Sequence, residues 1–251
     1  MERKVTRSVR IGTAGWVVPR VHAARVAAQS SAEGSHLERY SRTMNCVEIN
    51  STFYRPHQEK TFARWAASVP EDFRFAVKVP KAVTHEAKLC NCGAALAAFF
   101  AQLVPLGEKL GPVLVQLPPK LAFDEGLARE FFDTLREIYA GRVVVEPRHA
   151  SWFTRGPERL MQEFEVARAM ADPAAGSSLA SEPGGWTGLR YFRLHGSPRK
   201  YWSEYTDEFL LRLTEQITAS GEAAENWVIF DNTAGSHALG DAMKLRTMLL
   251  R

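Results

Sequence analysis

Eight short apolar runs that alternate with longer amphipathic ones leave this chain few ways to fold. The runs are "VRIGT", "CVEIN", "FRFAVKV", "PVLVQL", "RVVVE", "EVARAMA", "LRYFRLH" and "NWVIFD". Successive β-branched residues such as Val143, Val144 and Val145 suit strands buried on both faces, the condition of a parallel sheet covered by helices. Helical patterns lie between the runs. In "EGLAREFFDTLREIYAG", Leu127, Phe131, Leu135 and Ile138 recur at the helical period and Gly141 stands as a stop. Eight strands and their helices in 251 residues predict an α/β fold: a single TIM-type (β/α) barrel over residues 1–251, with about eight parallel strands and outer helices. A doubly wound open sheet is the rival, but it does not require eight strands, and no G-x-G-x-x-G follows the first one.

Composition narrows the function classes. With 45% hydrophobic and 24% charged residues the chain reads as a globular protein, and no run approaches the ~20 apolar residues of a membrane span. The opening "MERKVTRSVRIG" lacks the apolar core of a signal peptide, so the expected location is cytoplasmic with no membrane partner. Three cysteines, Cys46, Cys90 and Cys92, do not make a disulfide framework, and "CNC" lacks the second ligand pair of a zinc site. No metal is expected and the cofactor is left unknown. A net charge of +4 favours anionic partners mildly, without a dense basic block to mark nucleic-acid binding.

Strand ends are where a TIM-type barrel carries its chemistry, and here they are polar. Side chains alternate along a strand, so if Val47 and Ile49 face the helices, Glu48 and Asn50 face the axis. The same parity turns Lys78, Gln116, Glu146, Arg148, Arg193 and His195 inward, with either Asp231 or Asn232 from the last strand. Buried charges cost several kcal/mol unless paired, so these acids and bases must meet one another or a ligand. A structural ion-pair plug and a ligand pocket both satisfy that demand.

A resemblance adds to this pattern. "RIGTAGW", "VEINSTFYRPH", "FRFAVKVPKAVTHE", "LGPVLVQLPPKLAFD", "EPRHASWF", "YFRLHGSPRKYWSEY" and "FDNTA" resemble the YecE-like family, domain of unknown function 72, in order and over nearly the whole chain. The resemblance implies a TIM-barrel-type fold and supplies no reaction. It places weight on Gly12, Gly15, Trp16, Glu48, Asn50, Ser51, Phe53 and Tyr54, then on Lys78, Thr84, His85, Gln116, Pro118 and Pro119. Later it falls on Glu146, Arg148, His149, Trp152, Arg193, His195, Gly196, Tyr201, Asp231, Asn232 and Thr233. The loop after Trp16 departs from the family's aromatic-rich pattern.

The candidate catalytic set is Glu48, Glu146, His195 and Asp231, since carboxylates and an imidazole are the usual acid-base groups. A salt-bridge cluster and a hydrogen-bonded structural histidine are the competing readings. Candidate ligand contacts are Asn50, Tyr54, Lys78, His85, Gln116, Arg148, His149, Trp152, Arg193, Gly196, Tyr201, Asn232 and Thr233. Tyr54, Trp152, Tyr201 and Trp202 are candidates for an aromatic rim, and the loops "HGSPRKYW" and "DNTAGSHALG" for phosphate contacts. Two function classes follow: an acid-base protein that takes a small phosphorylated or carboxylated ligand, or a nucleic-acid-binding or processing barrel. Oligomeric state is not encoded legibly. The small-residue stretch "DPAAGSSLASEPGGW" reads as a long, lid-like connection.

Overall fold

A computed structural model describes residues 9–29, 33–219 and 224–250. The N-terminal segment 1–8, Ser220 at the end of the "DEFLLRLTEQITAS" helix and part of the divergent loop after Trp16 (30–32) lie outside the described residues.

The expected runs form strands β1 (Val9–Thr13), β2 (Cys46–Ile49), β3 (Arg74–Lys78), β4 (Leu110–Gln116) and β5 (Val143–Glu146). The sixth run is interrupted at Ala169 and yields β6 (Val166–Arg168) and β7 (Met170–Asp172). After a two-residue strand β8 (Gly184–Gly185) come β9 (Leu189–Leu194) and β10 (Glu225–Phe230). The helices are α1 (Arg20–Gln29), α2 (His36–Thr43), α3 (Glu59–Ala67), α4 (Gly93–Leu103), α5 (Glu125–Ile138), α6 (Arg155–Glu163), α7 (Asp207–Ala219) and α8 (Ala238–Leu249). Local signals set several ends. Ser35 and Glu38 form a reciprocal capping box on α2, and the Asp124 carboxylate accepts from Leu127 N to start α5.

The ladders form a four-stranded sheet in the order β1-β10-β9-β7 and a six-stranded sheet in the order β2-β3-β4-β5-β6-β8. The pairs are parallel except β6 with β8. The wholly parallel sheet expected from sequence is corrected at that point, because the 172–186 connection folds back and pairs. It is also fastened: Arg168 donates to the carbonyls of Leu179 and Glu182. Two features join the sheets. Residues 166–172 pair with β5 in their first half and β9 in their second, and Ala14 bridges to Glu48 beside β2.

Strand parity divides the core in two. Val47, Ile49, Val77, Val113, Val115, Val143 and Val145 pack against the helices. The opposite parity gives a second buried cluster of Cys46, Ala76, Leu114, Val144, Ala167, Tyr191, Trp227 and Ile229. Trp227 is large enough to fill the floor of that inner cluster only because Gly111 faces it; a Cβ there would lie 2.4 Å from the indole. Above this apolar layer, on the same parity, stand the charges.

Candidate functional site

The polar layer is organised by Arg193, fully buried at the end of β9. Its guanidinium grips Glu48 with two hydrogen bonds, Nε to Oε2 at 3.0 Å and Nη2 to Oε1 at 2.7 Å. Nη1 donates to Glu146 Oε2, and Nη2 reaches Asp231 Oδ2 at 3.3 Å. Three carboxylates from three strands thus converge on one planar cation, whose fork geometry suits several acceptors at once. Burial alone would lower the Arg193 pKa, but Glu48, Glu146 and Asp231 raise it well above the ordinary value. Tyr191, two residues earlier on the same face, donates to Glu48 Oε2 at 2.8 Å.

Glu146 is the second hub. Its Oε1 accepts from Gln116 Nε2 at 3.0 Å and from Arg148 Nε at 2.9 Å. Burial pushes its carboxyl up, yet Arg193, His195 and Arg148 override that and hold it well below the usual range. Asp231 behaves likewise: burial opposes ionisation, while His195 and Arg193 lower its pKa. His195 is 1% exposed; its Nδ1 lies 3.0 Å from Asp231 Oδ2. The other ring nitrogen, Nε2, is buried without a hydrogen-bond partner among the described residues, 3.7 Å from Glu146 Oε1.

Around this buried centre lies a mouth of cations. Lys78 Nζ donates to Gln116 Oε1 at 2.7 Å and sits 4.0 Å from the centre of the Phe53 ring. It forms no ion pair among the described residues. Burial and then Arg193 lower its pKa to about 8. Lys200 is lowered by burial and by Arg148, and His85 by burial, Lys78 and Arg148. His85 Nδ1 meets Thr84 Oγ1 in a single turn of π-helix, Ala82–Glu86, a distortion frequent at functional sites. Tyr201 packs edge-on against His195, and burial followed by Asp231 raises its pKa.

The chain's family is decided by comparison. A family model described as "Protein of unknown function DUF72" matches residues 10–251. This chain belongs to the DUF72 family. The UPF0759 protein YecE of Escherichia coli K12 is 36% identical over 124 residues, 49% of this DUF72 chain and 44% of that relative's length. A DUF72 protein of Enterococcus faecalis V583 superposes with TM-score 0.79 at 20% identity, over 96% of this chain and 95% of that one. Another, from Thermotoga maritima MSB8, gives 0.76 at 23%, over 97% and 99%. The similarity to these structures fixes the fold alone.

Within the DUF72 chain, not every sequence candidate joins the cluster. Asn232 points away: its Nδ2 donates to Ser203 O and Asp241 Oδ2, so Asp231 is the inward residue of the pair. Trp152, expected at the aromatic rim, is 1% exposed and donates to Leu121 O as a wedge beneath the loop. His149 caps the turn Ala150–Trp152 through Ser151. Gly196, at φ +91°, brings Ser203 O too close for any side chain and donates to Tyr205. Thr233 is exposed, and Asn50 holds a buried, unpartnered Oδ1 among the described residues. Tyr54 is exposed beside Phe53. Asp172 is engaged by Tyr205, and Glu48, Glu146 and Asp231 close on Arg193. No metal-holding group of His, Cys, Asp or Glu forms among the described residues.

Tyr191 was legible by parity, since it precedes Arg193 by two, yet an aromatic inside a strand signals packing first. Asp241 carried no signal at all. It sits in the first turn of α8, fully buried, with burial raising its carboxyl to about 6.

Proposed function

We propose that the strand-end cluster binds a small phosphorylated or carboxylated anion at its mouth, between Lys78, Arg148 and Lys200. The observation that carries this reading is Lys78: a nearly buried ammonium with one neutral oxygen partner and no carboxylate within ion-pair distance among the described residues. Such a charge costs several kcal/mol unless something else neutralises it. An incoming anion would do so, and it would give a counter-charge to Lys200, whose pKa burial and Arg148 lower. Arg193, Glu48 and Tyr191 form the rigid support. His195, with Nδ1 anchored by Asp231 and Nε2 unpartnered, is the group suited to move a proton, with Glu146 beside it. We read the two sheets as one closed barrel and one domain over 1–251, supported by the Ala14–Glu48 bridge and by the shared 166–172 segment.

Calorimetric titration with inorganic phosphate tests the reading. Binding is expected at pH 7, weaker at pH 9.5 once Lys78 has lost its proton, and lost in Lys78→Met. A parent protein that ignores phosphate but binds polynucleotide with a steep salt dependence would replace this reading with the nucleic-acid one.

A further inference from the structure

Beside the charged mouth lies a second, apolar space. The segment after β2 (Thr52–Pro56), the segment after β3 (Pro80–Glu86) and α4 line a half-open cavity of about 430 Å³. Its walls include Phe53, Tyr54, Pro56, Pro80, Ala98 and Phe99. Both segments follow the strands that carry Glu48 and Lys78, so the cavity lies at the same strand ends as the cluster. Phe53 belongs to both: its ring carries the Lys78 ammonium at 4.0 Å and packs edge-on against His85 and Tyr54 at 5.0 Å. Tyr54 is 72% exposed, an aromatic left open to solvent at the rim of an apolar hollow.

We infer that this cavity is the base subsite of the same pocket and that the ligand is a free nucleoside monophosphate. The inference rests on the anion site proposed above. An aromatic ligand ring against Phe53 sits with its centre roughly 5 Å from that ring, hence no more than about 9 Å from Lys78 Nζ. A base and a phosphate joined through a pentose fill such a span. Aromatic walls and prolines accept a flat ring, and Tyr54 offers it a stacking face. The rim groups Arg55 and the Lys81–Glu86 ion pair supply donors and acceptors to a base edge.

The test compares AMP, ribose 5-phosphate and inorganic phosphate by calorimetry on the full chain and on Tyr54→Ala and Ala98→Phe, the second of which fills the hollow from an exposed helix position. The readout is the ratio of AMP to ribose 5-phosphate affinity, which a general loss of stability would not move selectively. In the parent, AMP is expected to bind roughly tenfold or more tightly than ribose 5-phosphate, the usual worth of one stacked base. Both variants are expected to bring that ratio close to one. A parent that binds phosphate and ribose 5-phosphate as well as AMP overturns the base subsite and leaves the anion site standing. A parent that binds none of the three overturns both. Tighter, steeply salt-dependent binding of a 5′-phosphorylated oligonucleotide than of AMP overturns the free-nucleotide class.

Discussion

Lys78→Met removes the charge whose placement is hardest to explain structurally while keeping a long, unbranched side chain. Holding the Lys78 ammonium at about 8 in the folded protein, against 10.5 ordinarily, corresponds to about 3 kcal/mol of stability lost at pH 7. Deleting it returns that amount. Against the gain stand the hydrogen bond to Gln116, about 1–2 kcal/mol with Gln116 left short of a donor, and the contact with Phe53, about 1 kcal/mol. The net at neutral pH is therefore small, about 0–1 kcal/mol in the variant's favour. The pH dependence is larger and does not depend on the lost contacts. Between pH 8 and 10.5 the unfolded chain holds the proton that the folded one has released, so the parent gains stability as pH rises and the variant gains nothing from this position. Urea denaturation of both proteins at pH 7, 9 and 10.5 is expected to show the parent improving relative to the variant by about 3 kcal/mol across the range, other titrations cancelling in the difference. A difference that stays flat from pH 7 to 10.5, with Lys78→Met strongly destabilised throughout, would refute the claim that this lysine is held at a structural cost.

Three further outcomes follow from the geometry. Glu146→Gln breaks contacts to Arg193, Arg148 and Gln116 in a buried site, so thermal melts should report a loss of about 3 kcal/mol or more. Because Glu146 and Asp231 are held below their ordinary values, their contribution is present above the usual carboxylate range and fades as pH falls through the folded values; acid titration should unfold the parent there, with a shallower profile in Glu146→Gln. Tyr191→Phe leaves Glu48 Oε2 with one donor fewer and should cost about 1–2 kcal/mol by chemical denaturation while leaving phosphate binding nearly unchanged.

Much of the site was legible because strand parity is a rigid rule. Once Val47 and Ile49 are assigned to the helices, Glu48 has one direction left, and the same holds for Lys78, Gln116, Glu146 and Arg193. Loops follow no such period, and there the reading weakened. Trp152 looked like a rim aromatic, but its turn drives the indole under Phe123 and Leu121. His149 resembled a ligand contact and serves its own turn through Ser151. The choice between Asp231 and Asn232 needed Asp241, a residue nine positions later with no sequence mark of burial. β8 escaped notice because Gly184–Gly185 is too short to carry any pattern, and the break at Ala169 because "EVARAMA" remains apolar through it. Sequence also understated how completely Arg193 fills the centre, which is why the proposed anion site is drawn at the mouth and not at the middle of the cluster.

The most direct measurement is a crystal of the parent protein soaked in phosphate at pH 7. Tetrahedral density bridging Lys78, Arg148 and Lys200, above an undisturbed Arg193, is the expected result. Ordered phosphate confined to outer helices, with only water between those three cations, would contradict the proposed pocket and leave the cluster as a structural plug.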